Sequence, residues 1–351
     1  MTNVLVVSVS TKDKGGVSTV VKAFQNSTIL NSEECISYFS SHSSKTLFSK
    51  LITPIVSYFV FPFKLSGIDI VHIHGSLKTS FFRKTPYLLI SKLFGKKVIY
   101  HIHAAQVEQY FDGMHDLKLR LVRKLFSLYD LRLCLGYPWV NGLEALTGSK
   151  WSVLHNPMHP PKIEDSMETS CVCEFLFMGE LSRRKGIEDL LHAFSIAKSK
   201  GIMAKLTVAG NGDVPRLEKL CSELDIYDEV SFLGWIGADE KHNLLTRCGA
   251  VVLPSYAEGL PMSVLEGMSY SKLVIATPVG ATEDAITCEF NGILVQPGDI
   301  NDLAEKLLIA SKSPELRENY GKHAASTFEK KFHINVISKK LQDYYLKLIN
   351  E

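Results

Sequence analysis

Two glutamates eight positions apart, Glu258 and Glu266, frame the stretch Glu258-Gly259-Leu260-Pro261-Met262-Ser263-Val264-Leu265-Glu266. It follows the apolar run Ala250–Leu253 and the loop Pro254-Ser255-Tyr256-Ala257. Pro261 suits the first position of a helix, because the N–H it lacks would have no partner there. Leu260, Met262 and Ser263 then offer backbone N–H groups at a helix terminus, where the dipole favours an anion. Glu258 falls just outside that terminus. Glu266 falls inside the helix, about 7 Å along its axis at about 1.5 Å per residue. The carboxylates therefore cannot act as a close pair; they would touch different parts of one long ligand. Taken alone, they also read as an exposed helix glutamate and a dipole-compensating one.

Three further loops carry residues suited to an anion. Lys12-Asp13-Lys14-Gly15-Gly16-Val17-Ser18 places a paired glycine before a helix, Gly179–Gly186 holds Arg183-Arg184-Lys185, and Gly210-Asn211-Gly212-Asp213 forms a glycine turn. Glycine permits close backbone approach. A lone Gly-Gly is equally a tight turn, and three adjacent cations are equally a solvated face. No P-loop and no GxGxxG fingerprint occurs, which disfavours plain mononucleotide or NAD binding. No Asp-x-Asp, a pattern that could hold a divalent metal, occurs in the chain. His72, His74, His101 and His103 alternate along two strands, each pair on one sheet face. Metal ligation is set aside for them in favour of loop-end polar contacts and one substrate-facing histidine.

These loops need elements to position them. Short β-branched runs alternate with helical patterns throughout: Val4–Val9, Cys35–Phe39, Ile68–Ile73, Lys97–Ile102, Leu131–Leu135 and Ser152–Leu154, then Glu174–Met178, Lys205–Ala209, Glu229–Leu233, Ala250–Leu253, Leu273–Ala276 and Gly292–Val295. Such alternation implies βαβ units and parallel sheets covered on both faces, with ligands beyond the carboxyl ends of the strands. The segment His155-Asn156-Pro157-Met158-His159-Pro160-Pro161, continued through polar Lys162–Ser170, reads as a linker. The fold class is α/β, with two doubly wound, Rossmann-like domains facing across a cleft. The expected domains are residues 1–160 and 161–328, and a C-terminal helix over 329–351 is expected to pack back toward the first.

With 351 residues, 46% of them apolar and 22% charged, the chain has ample core for two domains. Its seven cysteines are scattered and read as reduced thiols, and the first residues read as a strand with no signal peptide. A cytoplasmic location is expected. Residues 1–160 hold 18 basic and 9 acidic side chains, and the remainder 21 and 28, so a net charge of +2 hides halves of +9 and −7. The basic half invites an anionic partner.

In this order and spacing the motifs resemble the retaining nucleotide-sugar glycosyltransferases of family 4, which have the GT-B fold. The resemblance runs from Phe177 to about Leu308 through Gly179–Gly186, Ala209–Gly212, Phe232-Leu233-Gly234-Trp235, Glu258–Glu266, Pro278-Val279-Gly280 and Asn291–Val295. It is thinner in the first half, at Gly15-Gly16, Val71–His74 and Tyr100–His103. It implies that Arg184 and Lys185 neutralise a donor diphosphate, helped by the helix terminus after Gly259-Leu260-Pro261. It gives Glu266 the ribose hydroxyls, and Glu258 and His103 places beside the transferred sugar. Phe232–Ile236, with Trp235, would read the base, and Gly15 and Gly16 would approach the phosphates. Gly210, Asn211, Met262 and Ser263 complete the donor contacts. Where many members carry arginine this chain has Glu180, so Arg183 or Arg184 is expected to supply that charge.

The resemblance also implies an acceptor domain in the first half. Leu51–Phe63 is strongly apolar but too short to span a bilayer. Lys78–Lys84, Lys92–Lys97 and Lys118–Phe126 mix basic with large apolar residues, as a surface resting on an anionic membrane would; buried helices with solvated lysines are the alternative. The resulting expectation is a metal-independent, retaining enzyme that moves a sugar from a nucleotide-sugar donor, UDP-linked rather than GDP-linked, to a glycan or polyprenyl-diphosphate-linked acceptor in surface polysaccharide synthesis. No further cofactor and no nucleic acid enter. A sugar-nucleotide 2-epimerase of like fold and a non-catalytic sugar-nucleotide-binding subunit are the alternatives.

Overall fold

The computed structural model describes residues 2–11, 15–42, 55–105, 114–161 and 173–351. Lys12–Lys14 of the first glycine loop, residues 51–54 of the apolar run and Lys162–Ser170 of the linker lie outside the described residues. The chain forms two compact units, Met1–His159 with Phe332–Glu351, and Pro160–Lys331.

The first unit is built on a six-stranded parallel sheet. Its strands are β1 (Asn3–Val9), β2 (Cys35–His42), β3 (Ile70–Gly75), β4 (Lys97–Ile102), β5 (Leu131–Cys134) and β6 (Ser152–Val153), in the order β2-β1-β3-β4-β5-β6. The near-continuous apolar character of Val4–Val7 is that of a strand covered on both faces. On one face Val71, Ile73, Val98 and Tyr100 pack with Phe61, Phe81, Tyr87 and Phe126. The opposite face carries His72 and His74 and is covered by helices 16–25 and 334–350.

The pattern predicts a strand over Ile68–Ile73, whereas β3 starts at Ile70 and continues to Gly75. Ile68 closes a turn by donating its N–H to the Leu65 carbonyl, 3.2 Å away. The Asp69 carboxylate accepts from the Asn3 N–H at 2.8 Å. The turn ends at Ile68, and the Asp69 backbone already bonds both neighbours, donating to the Asn3 carbonyl at 2.9 Å and accepting from the Lys97 N–H at 3.2 Å.

The C-terminal helix Ile334–Asn350 belongs to this unit. Met158 and Phe332–Ile334 exchange backbone bonds of 3.1 and 2.9 Å, Ser27 donates to Ser338 at 2.7 Å, and Tyr344 donates to the Val153 carbonyl at 3.1 Å.

The second unit has β7 (Cys173–Met178), β8 (Ala204–Ala209), β9 (Val230–Gly234), β10 (Ala250–Leu253), β11 (Leu273–Ala276) and β12 (Ile293–Leu294), in the order β12-β11-β10-β7-β8-β9. Strand order reverses between β7 and β10, and in the first unit between β1 and β3. Such switch points are where connections leave to opposite faces and open a crevice at the carboxyl ends. The loops that leave β7 and β10 are 179–186 and 254–261; Gly15-Gly16 follows β1, and His103 follows β4. Among the described residues, no helix is long and apolar enough to cross a membrane.

Candidate active site

In the second unit the switch point brings together residues 73 positions apart. Lys185 ends the short helical turn Arg183–Lys185, and its Nζ lies 2.5 Å from Glu258 Oε1. Glu258 is 5% exposed, so its charge is compensated inside the fold and not by solvent. Ser255 donates its Oγ to the same carboxylate oxygen at 2.7 Å. Arg184 closes the group: it donates to the Ala257 carbonyl at 3.0 Å and lies 3.8 Å from Glu258 Oε2 and 3.4 Å from Glu180.

Two glycines make this approach possible. Gly186 has φ +70°, and a Cβ there would stand 2.0 Å from the Pro254 carbonyl oxygen. Gly280 has φ +61°, and its Cβ would meet the Glu258 carbonyl oxygen at 2.1 Å. Either side chain would push apart the backbones that hold the cations and the carboxylate. The Tyr256 N–H also bonds the Arg184 carbonyl at 2.8 Å.

The expected helix starts one residue late. Pro261 is its cap, with φ −71° and ψ 127°, and Met262–Ser269 is helical. The extended ψ of Pro261 takes it out of the first turn. Leu265 makes the first intrahelical bond, to the Pro261 carbonyl at 3.4 Å, which leaves the N–H groups of Met262, Ser263 and Val264 ahead of the ladder. Gly259 is fixed below, where its carbonyl accepts from Ala281 at 2.7 Å, and Leu260 and Ser263 are buried. Glu266, three residues past Ser263, pairs with Lys241 at 2.5 Å.

The loops after β7, β8 and β9 stack through backbone bonds. Gly179 donates to Ala209 at 3.0 Å, Leu181 to Asn211 at 2.8 Å, and Gly210 to Gly234 at 2.7 Å. This sets exposed Asn211 and Trp235 at the same strand edge. Arg183 stands apart from the Lys185–Glu258 group: it lines a cavity with Gly186, Glu188, Asp189, His192, Tyr256 and Ile300. Of the two arginines, Arg184 is therefore the one that joins the lysine.

In the first unit Gly15 and Gly16 are exposed at the start of helix Gly16–Gln25. His103 is partly buried; its N–H donates to the Gly75 carbonyl at 2.7 Å and its Nε2 lies 2.9 Å from His74 Nδ1. Desolvation pushes the imidazoles of His72 and His103 down to about 3, and those of His74 and His101 well below the ordinary range. These rings are neutral at physiological pH. Among the described residues His72, His74 and His101 form the one group whose ligating nitrogens lie within 4.8 Å of one another. That group includes no carboxylate, and Nδ1 of His72 and of His74 is already bonded, to Tyr345 and His103.

Three contributors are absent from the expected set: Ser255, Lys241 and His74. Ser255 stands three residues before Glu258, a spacing that could have flagged it. Lys241 is 25 residues from Glu266 on a separate helix, and only the packing of 238–247 against the sheet makes the pair.

An archaeal protein of Methanocaldococcus jannaschii described as an uncharacterized glycosyltransferase is 32% identical over 158 residues, 45% of this chain and 43% of that protein. The N,N'-diacetylbacillosaminyl-diphospho-undecaprenol alpha-1,3-N-acetylgalactosaminyltransferase of Campylobacter jejuni is 28% identical over 166 residues, 47% and 41% of the two chains. The match thus covers less than half the length of these two relatives. HepE of Anabaena, solved in complex with UDP, shares the fold at a TM-score of 0.77 and 14% identity, over 99% of this chain and 100% of its own. Residues 173–327, which contain the Lys185–Glu258 and Lys241–Glu266 pairs, match the family of glycosyl transferases group 1.

Proposed function

We propose that the chain is a retaining, metal-independent glycosyltransferase that takes a sugar from a UDP-sugar and passes it to a lipid-linked glycan. The observation that carries this reading is the Lys185–Glu258 pair at the switch point of the second sheet, with Arg184 alongside and the N-terminus of helix Met262–Ser269 next in the chain. Fixed cations and N–H groups at one crevice suit a diphosphate whose charge grows as its bond to the sugar breaks. One preorganised donor of this kind lowers the barrier by about 3 kcal/mol. Glu258 holds Lys185 in place until the donor arrives, and Glu266 receives the ribose hydroxyls as Lys241 gives way. Within the first unit, Gly16 and His103 are read as the ligand-contacting residues of the loops after β1 and β4. The acceptor hydroxyl oxygen forms its bond to the anomeric carbon on the face the diphosphate leaves, the diphosphate oxygen keeps the bonding pair, and the acceptor proton passes to it. The choice of UDP is supported by the UDP complex of HepE, and a polyprenyl-diphosphate acceptor by the Campylobacter relative.

The test is turnover of a panel of UDP-sugars by the purified chain, with and without polyprenyl-diphosphate-linked acceptors and excess chelator, with the product anomer read by NMR. Transfer with retained configuration in chelator is expected. Epimerisation of the donor without any acceptor, or activity that returns only with Mg²⁺, overturns the reading.

A further inference from the structure

Four imidazoles lie on one face of the first sheet. Register pairs His74 of β3 with His101 of β4, and His72 and His103 follow on the same side at the alternation of two. The rings of His72 and His74 and of His74 and His103 stack, with centroids 4.4 and 5.1 Å apart, and those of His101 and His103 lie tilted at 4.3 Å. The deep end is anchored by Tyr345, whose hydroxyl lies 2.7 Å from His72 Nδ1, and Phe24 packs on His74 at 6.5 Å. The outer end is His103, just past the carboxyl edge of β4.

The ladder holds one direct link between rings, His74 Nδ1 to His103 Nε2 at 2.9 Å. A neutral imidazole carries one N–H and one lone pair, so one of these nitrogens donates and the other accepts. Among the described residues this is the one hydrogen bond of the His74 ring, which is 3% exposed. An orphaned buried N–H is rarer in proteins than an under-used acceptor. His74 therefore places its proton on Nδ1, inside the bond, and leaves the lone pair on its other nitrogen. His103 must then accept at Nε2 and carry its own proton on Nδ1.

We infer that His74 is a positioning residue, which fixes the tautomer and ring plane of His103 so that His103 presents an Nδ1–H donor to the ligand. The inference rests on the reading of the chain as a sugar transferase, which gives that donor an acceptor among the sugar oxygens. The bond explains why a histidine stands at position 74. An apolar residue would pack there, but it would leave His103 free to rotate and to exchange tautomers.

The experiment uses the full chain labelled with ¹⁵N in histidine. Long-range proton–nitrogen correlation is expected to show His103 with its proton on Nδ1, and His74→Leu should turn it into a tautomer mixture. In transfer assays His74→Leu should lower kcat about tenfold with the donor KM within twofold. His74→Asn, which keeps an N–H near the place of Nδ1, should restore kcat to within threefold. An Nε2–H tautomer of His103 in the unaltered chain overturns the inference, and that spectrum needs no variant to fold. So does a His74→Leu chain whose tautomer or kcat is unchanged. Absence of transfer by the unaltered chain overturns the transferase reading, while the spectrum still judges the bond.

Discussion

Lys185 and Glu258 show how one ion pair can serve structure and chemistry together. Their side chains are 14% and 7% exposed, so loss of Lys185 leaves the nearly buried Glu258 charge with only the longer Arg184 pair and the Ser255 hydrogen bond, at a cost of about 3 kcal/mol. Lys185→Ala should therefore do two things. Transfer should fall about 10²- to 10³-fold, since a leaving-group charge without its cation costs several kcal/mol. The second unit should also melt earlier. Adding Glu258→Gln removes the orphaned charge, so the double variant should recover most of the lost stability and none of the activity. Calorimetry beside an initial-rate assay checks both, and activity within threefold of the unaltered chain would remove Lys185 from the site.

At the scale of elements, β3, β4 and the residue that follows β4 carry four histidines into a layer closed by helices 16–25 and 334–350. Burial keeps the rings neutral in the folded state, with His72 and His103 near 3 against an ordinary 6.5. The unfolded chain binds protons below about 6.5 and the folded chain does not, so stability is fully present above that pH and is lost as pH falls toward 3. Each imidazole contributes a slope of about 1.4 kcal/mol per pH unit in that window. Urea unfolding of the first unit, followed by the fluorescence of Trp139 and Trp151, should show its midpoint falling steadily from pH 6.5 to 4.5. His101→Gln should flatten the slope by about one proton, and a midpoint independent of pH would contradict the neutral ladder.

For the whole molecule, charge and apolar exposure concentrate on one layer of the first unit. Ile55, Val56, Phe59, Val60, Phe63, Leu89, Leu93, Phe94, Leu117 and Leu121 are all exposed, and they sit on residues 55–64, 79–94 and 116–127. The mixed segments do not behave uniformly. Lys84 is buried beside Ser41, Lys92 pairs with Asp130, and Arg123 donates to the Leu146 carbonyl at 2.9 Å. Lys64, Lys118, Arg120 and Lys124 remain exposed and available to an anionic surface, each for about 1 kcal/mol. The full chain should bind vesicles containing anionic lipid more than neutral ones, and less in high salt. Glutamate at those four positions should weaken that binding and leave donor affinity unchanged. Equal binding to both vesicle types would show the layer to be merely solvated.

Periodicity and loop chemistry already mark the alternating strands, the parallel sheets and the cationic and carboxylate loops, because both are local properties of the chain. Val4–Val7 must be buried on both faces wherever it goes, and Gly259-Leu260-Pro261 must start a helix nearby. Tertiary structure decided the partners. Lys185 meets Glu258 because strand order reverses between β7 and β10, Lys241 meets Glu266 because two helices pack on one sheet, and Arg184 rather than Arg183 turns toward the site. His74 reaches His103 because β3 pairs with β4 in the register that sets His74 against His101. Pairing across 73 or 29 positions depends on closing long loops against the entropy of the free chain, and the packing that makes such closure favourable is a property of the whole fold.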